Sequence, residues 1–471
     1  MKYKILFILS LLVFLKTEAQ YNIQNRETKF RIEVNIPTQK EKTIYLGQYW
    51  NGSTYAKDSA QLSNKGIAIF DISEKIIPGQ YFLYIKPDFQ IDLLIDEGQN
   101  NIEISLDDNN FSNSTVSGSS DTKLLWEYLD KTQKWNDEKY KLEEQLESPS
   151  ISAQKRNKIE GQLKKIEDKS QAYTNTLVIE NKNNWFGCFL KGTEPIKYPF
   201  AQPKSENEFT LNKKYGVNHF FDNVNLEDPR FWNTNYLTSY IDTYMQNWVE
   251  QYPDSLAAAA SRLVAKTMGN QKCFERMLSR LTNNAIKSNR MGDENIWARL
   301  YEDYILNKNI PWIDSTQLVD LKKMYEPIKN NRIGMRAHNL TLKTMSGQTV
   351  NTNEIPSKYL ILYFYDPGCG HCKTSVPSLH NELYAKYKDK GVEVVAINIS
   401  SNQQAWIDFV NQHKISDWFN CADPDYKSEY WMYYNTSGVP SVYVLNENKT
   451  IIAKSIDEQN LEKLFDYYLN K

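Results

Sequence analysis

Cys369-Gly370-His371-Cys372 places two thiols three residues apart, the spacing at which one sulfur can attack a disulfide and the other can displace the product. The apolar run 359–365 precedes them and a stretch patterned as a helix follows. Cys369 is therefore expected at a helix N-terminus, where unpaired backbone N–H groups and the positive end of the macrodipole favour thiolate over thiol. Thiolate is the reactive species.

Further along, Gly438-Val439-Pro440-Ser441 leads into a second apolar run, 442–445. An X-Pro bond reaches the cis form at a cost of only about 0.5 to 1 kcal/mol. Strand, turn, CxxC and helix, followed by Val-Pro ahead of a strand, resemble the thioredoxin superfamily, and more narrowly its secreted TlpA/ResA-like branch. The likeness covers about 334–471. It is carried by Phe364-Tyr365-Asp366-Pro367-Gly368-Cys369-Gly370-His371-Cys372-Lys373, Val376-Pro377-Ser378-Leu379, the run 391–398 and Gly438-Val439-Pro440.

The resemblance implies a C-terminal α/β thioredoxin fold and a thiol-disulfide oxidoreductase in which Cys369 attacks a client and Cys372 resolves the mixed disulfide. It makes Pro440 the cis-proline beside the dithiol and Val439 the main chain on which a client strand pairs. Pro367 and Gly368 belong to the approach to Cys369, and Pro377 is expected to kink the active-site helix. The redox group is the Cys369–Cys372 disulfide itself, with no separate cofactor and no metal. His371 gives a dipeptide like that of protein disulfide isomerases. Its imidazolium is expected to stabilise the Cys369 thiolate, which makes the disulfide more oxidising. Two positions depart from the family pattern. Where many relatives carry a carboxylate, this chain has Tyr363 and Ser375, which leaves open how Cys372 loses its proton.

The elements around this motif fall into three regions. Over 20–117, short alternating runs at 29–36, 43–49, 66–70, 80–85, 91–95 and 101–106 are punctuated by Asn51-Gly52, Pro78-Gly79 and Glu97-Gly98. They predict a small antiparallel β-sandwich. Over 121–330, Lys, Glu, Gln and Leu recur at helical spacing. Pro149 divides the first part into a helical hairpin, 121–182, which offers a dimerisation surface, and further helices are expected at 235–251 and 254–268. These two regions resemble the β and helical domains of unknown function that precede redoxin domains in secreted bacterial proteins. The thioredoxin-like region takes 331–471.

Lys2 and Lys4, the apolar run 5–15 and Ala19 read as a signal peptide, 1–19, which places the protein in the periplasm or otherwise outside the cytoplasm. The apolar run falls short of the roughly 20 residues that a membrane span needs. No later segment qualifies. Formal net charge is −2, and losing three lysines and one glutamate with residues 1–19 takes it to −4. The Lys-rich stretches are interleaved with Glu and Asp, so nucleic acid is excluded as a partner. The expected partners are client proteins with thiols or disulfides, and an electron donor or acceptor protein.

Of five cysteines, Cys188, Cys273 and Cys421 lie outside the motif and read as buried thiols, with a Cys188–Cys273 disulfide as the alternative for the first two. His371 and His380 lack the partners of a closed zinc site, since there is no second CxxC. The 31 Tyr and 11 Trp support an aromatic core, or glycan-binding platforms in a second reading. In that reading the chain is a binding or scaffold protein with an accessory redox domain.

Overall fold

The computed structural model describes residues 30–87, 89–147 and 151–469. The signal-peptide reading of 1–19 and the helix break at Pro149 lie outside them. The chain forms two compact units. One gathers the described residues up to Glu194 with Arg230–Leu237, and the other gathers Pro195–Pro229 with Thr238 onward. The helices expected across 121–330 are thus shared between the two units.

In the first unit, strands β1 (Phe30–Asn35), β2 (Thr43–Trp50), β3 (Ser53–Gln61), β4 (Ile67–Ile72), β5 (Gly79–Ile85), β6 (Phe89–Ile95), β7 (Asn101–Ser105) and β8 (Thr115–Ser117) make two four-stranded sheets. Their orders are β4-β1-β7-β8 and β3-β2-β5-β6. Phe30, Ile32 and Val34 point inward while Arg31, Glu33 and Asn35 are only half-buried, the period-2 pattern that one buried face demands. The sandwich is not wholly antiparallel as expected, because β1 runs parallel to β7. That pairing joins residues 70 apart, between Arg31 and Asn101, and no local turn signal reports it. β3 was not expected either. Ser-Thr-Tyr-Ala-Lys-Asp-Ser-Ala-Gln has no apolar alternation because it is a largely exposed edge strand.

Helices α1 (Ser120–Leu146), α2 (Ala153–Glu180) and α3 (Trp185–Thr193) complete the unit. Ser119 caps α1 by accepting from Thr122 N and also donates to Leu94 O at 2.9 Å, so the cap ties the helix to β6. Asp121 accepts from Phe186 N at 2.7 Å, which fixes the start of α3.

The second unit opens with α4 (Glu206–His219), α5 (Leu237–Thr243), α6 (Pro253–Ala265), α7 (Gln271–Lys287), α8 (Glu294–Leu300) and α9 (Ser315–Tyr325). It closes on a seven-stranded sheet ordered β10-β9-β13-β12-β11-β14-β15. Its strands are β9 (Thr341–Thr344), β10 (Thr349–Asn351), β11 (Tyr359–Tyr365), β12 (Val392–Asn398), β13 (Phe419–Ala422), β14 (Ser441–Asn446) and β15 (Ile451–Lys454). Around it lie α10 (Gly370–Ser378), α11 (Ala385–Tyr387), α12 (Gln403–His413), α13 (Tyr430–Tyr433) and α14 (Glu458–Leu469).

The central strand β11 is parallel to β12 and antiparallel to β14, and every one of its residues is buried. Both faces being covered, it reads as a continuous apolar run. Tyr359, Ile361, Tyr363 and Tyr365 pack with Cys372 and Val376, while Leu360, Leu362 and Phe364 pack with Tyr430 and Tyr434. Before β12, Gly391 at φ 89° accepts from both Lys358 N and Tyr359 N, a left-handed turn that aligns the starts of β11 and β12.

The helices of this unit join the sheet through charge. The Lys454 ammonium at the end of β15 lies 3.2 Å from Glu294 of α8 and donates to Asn331 Oδ1 at 2.8 Å. Arg332 pairs with Glu302 at 2.6 Å, and Asn295 Nδ2 donates to Ile333 O at 2.8 Å.

Candidate functional site

The site begins where β11 ends. Asp366-Pro367-Gly368 turns the chain, with Gly368 N–H donating to Asp366 Oδ1 at 2.6 Å and Cys369 N–H to Asp366 O at 3.0 Å. Asp366 thus acts as an Asx-turn residue that closes the loop on itself. Pro367 is buried and Gly368 exposed. Cys369 stands at the N-cap of α10 with extended backbone angles, φ −72° and ψ 123°, which leaves its sulfur at the mouth of the helix. Cys372, one turn further in, is 0% exposed, whereas Cys369 is half-buried. One sulfur meets solvent and the other faces the core.

The second expected segment arrives beside the first. The Val439–Pro440 peptide bond is cis, and Cys369 Sγ donates to Val439 O at 3.4 Å. Residues 70 apart in sequence therefore share one surface. His371 is exposed on the first turn of α10, and its carbonyl accepts from Thr374 Oγ1 at 2.9 Å. Pro377 sits inside α10, and two residues later the helix passes into a π-helical turn, Leu379–Tyr384. A proline deprives its helix of one N–H donor.

Burial pushes the Cys372 thiol up to about 12. The Asp366 backbone works against that rise, while neighbouring Cys369 and, least, the Asp366 charge add to it. On the same face, the hydroxyls of Tyr363 and Ser375 hydrogen-bond each other. The two positions where the chain departs from the family pattern are thus in contact, and they form a neutral pair. Burial, before any other cause, raises the Tyr363 phenol well above its ordinary value. In the sequence Asp366 stands only as part of the motif that carries the resemblance. Its place directly before Pro-Gly and three residues ahead of Cys369 was the available signal.

Cys421 is fully buried in β13, and burial pushes it up to about 12. Cys273 is buried in α7, and Cys188 lies with its sulfur 3.7 Å from Lys182 O. His380 binds Asp417 at 2.7 Å rather than approaching a cysteine. Among the described residues no three His, Cys, Asp or Glu side chains are grouped to hold a metal ion.

A seven-stranded mixed sheet with the dithiol at the end of its central strand and a cis-proline facing it defines the class of thioredoxin-fold thiol-disulfide oxidoreductases. Residues 357–451 match the thioredoxin-like family, and residues 30–125 match a domain of unknown function, DUF4369. The thiol-disulfide oxidoreductase ResA of Bacillus cereus is 29% identical over 136 residues, 29% of this chain and 76% of the relative. ResA of Oceanobacillus iheyensis is 27% identical over 154 residues, 32% of this chain and 78% of the relative. A solved domain of a possible thiol-disulfide isomerase from Cytophaga hutchinsonii is 34% identical and covers 29% of this chain and 92% of its own, with a TM-score of 0.28. A thioredoxin-like protein from Bacteroides caccae is 22% identical and covers 58% and 98%, with a TM-score of 0.42. Its C-terminal region carries a thioredoxin-like domain similar to the ResA oxidoreductases, and the chain is a thiol-disulfide oxidoreductase.

Proposed function

We propose that this oxidoreductase works outside the cytoplasm and exchanges disulfides with client proteins through Cys369-Gly370-His371-Cys372. Cys369 attacks the client disulfide and forms a mixed disulfide. Cys372 then attacks Cys369, releases the client thiol and leaves the Cys369–Cys372 disulfide, which is the redox group and needs no further cofactor. An electron donor or acceptor protein resets the pair. Val439 and Pro440 present the main chain to which the client strand adds. The observation that carries this reading is the asymmetry of the two sulfurs: Cys369 is half-exposed and 3.4 Å from Val439 O, while Cys372 is shut in the core.

The location outside the cytoplasm rests on the character of residues 1–19, and cell fractionation tests it. The hairpin 121–182 is proposed as a dimer contact, which sedimentation of the purified chain tests. For the exchange itself, Cys372→Ala should accumulate mixed disulfides with clients on Cys369, and Cys369→Ala should accumulate none. Trapping by both variants, or by neither, overturns the assignment.

A further inference from the structure

The run 434–440 leads from α13 to the cis-proline and belongs to no strand, since β14 begins at Ser441. Two asparagines that follow α9 hold the end of α13 from which it starts. Asn330 Nδ2 donates to Met432 O at 3.0 Å, and Asn331 Nδ2 donates to Tyr433 O at 2.9 Å. Asn331 Nδ2 also donates to Pro327 O at 2.8 Å, and its Oδ1 accepts from Lys454 Nζ at 2.8 Å, so this buried amide is engaged on all sides. α9 itself buries none of its residues and adds little to the core. What its end does is stand against the segment that presents Val439.

Between the two segments lies a groove of about 420 Å³, with Pro327 and Lys329 on one wall and Trp431, Met432, Asn435 and Ser437 on the other. Trp431 is 46% exposed and Met432 53%, although both are large and apolar. At the groove's edge Lys329 pairs with Glu326 at 2.6 Å. Adjacent exposed apolar side chains rimmed by polar groups mark a surface that binds. The groove is continuous with the exchange surface. Ser437 stands two residues before Val439, at most about 7 Å along the chain, and Val439 O lies 3.4 Å from Cys369 Sγ.

We propose that this groove is a second contact for the client, taking a large apolar side chain of an extended segment whose cysteine is on Cys369. At about 3.3 Å per residue, the side chain stands roughly two to four residues from that cysteine. Such a segment is accessible in a client that has not finished folding, because folded chains bury these side chains. The helices ahead of the redox domain thus supply one wall of the client site and, through Asn331, position the other. This deepens the exchange reading above and rests on it, and the reaction at the dithiol is unchanged.

Two kinds of substrate separate the groove from the dithiol in the reduced full-length chain. The small aromatic disulfide DTNB releases thionitrobenzoate twice, first on Cys369 attack and again on Cys372 resolution, and shows that the dithiol is intact. Gly-Ser peptides with one cysteine, held as its mixed disulfide with thionitrobenzoate, report the groove as well. One set carries Leu three residues before or after the cysteine, and the other carries Ser there. At low peptide concentration one Leu placement should react about tenfold faster than its Ser counterpart, the factor expected from burying one such side chain. Trp431→Ser combined with Met432→Ser should abolish that preference, and Pro327→Asp on the opposite wall should abolish it too. No Leu preference in the wild type, or a preference kept by either variant, overturns the proposal. If the double variant lacks its DTNB phases, P327D decides by the same comparison. Absence of DTNB phases in the wild type would instead refute the exchange reading.

Discussion

Cys372 and Cys421 lie on opposite faces of one sheet, and their physical descriptions nearly coincide. Each is fully buried, and each has its thiol pushed up to about 12, chiefly by burial. Yet Cys372 lies in the first turn of α10, three residues after the half-buried sulfur of Cys369 that also acts on it, whereas only burial acts on Cys421 in mid-strand. A raised thiol pKa therefore does not mark a redox residue. The partner sulfur does.

The largest effect that could break this contrast is on the mixed disulfide. Cys372→Ala should lengthen its lifetime by at least about 10³-fold, because no second sulfur remains to displace the client. Cys421→Ala should leave both DTNB phases at wild-type rate. A change in the second phase on removing Cys421 would mean that the opposite face of the sheet takes part in the exchange.

Much of this face was legible. CxxC between an apolar run and a helical pattern pointed to the helix start where Cys369 stands, and cis Val439-Pro440 lies beside it, because strand, turn and helix signals here are local. What escaped is what depends on pairing or on depth. β3 carries no alternation since neither face is deeply buried, and the parallel partnership of β1 with β7 joins segments that share no turn. Lys454 looks in sequence like any surface lysine. It is 8% exposed because α8 covers it.

Lys454 extends the comparison from buried thiols to a buried charge. Burial lowers its pKa, and Glu294 only partly opposes that. Lys454→Ala should cost about 3 to 5 kcal/mol, since it strands Glu294 without its partner, and a denaturant titration reads it. Lys454→Met with Glu294→Gln should recover most of the loss. The isolated segment 331–471, which holds the whole seven-stranded sheet, lacks Glu294 and should be less stable than the intact chain by a similar amount. Equal stability would show that the ion pair contributes nothing.

Next in size is alkaline stability. A free cysteine titrates near 8.5 when unfolded, and Cys421 is held near 12 when folded, so the native state keeps a proton that the unfolded state loses. Its contribution is complete below about pH 8.5 and is lost as pH rises toward about 12, at up to about 1.4 kcal/mol per pH unit. Cys421→Ala should flatten the fall in unfolding free energy between about pH 9 and 11 by up to that slope, with no change in redox rate. An unaltered slope would mean that folding does not raise the pKa of this thiol.

The smallest expected shift tests what sits between the two reactive cysteines. His371 is exposed and its carbonyl accepts from Thr374 Oγ1, so replacing its ring should leave the fold and the Cys372 environment intact. His371→Pro removes a cation that can face the Cys369 thiolate, which destabilises the reduced form. The pair should become more reducing, by on the order of 30 mV, equivalent to about 1.4 kcal/mol for a two-electron couple. Equilibration against glutathione reads the potential directly. It sharpens the division between the two sulfurs: H371P should act on the potential through Cys369 and leave the buried Cys372 unchanged. A shift of the potential in the oxidising direction, or none, would remove His371 from the account of Cys369 while leaving the burial of Cys372 as it stands.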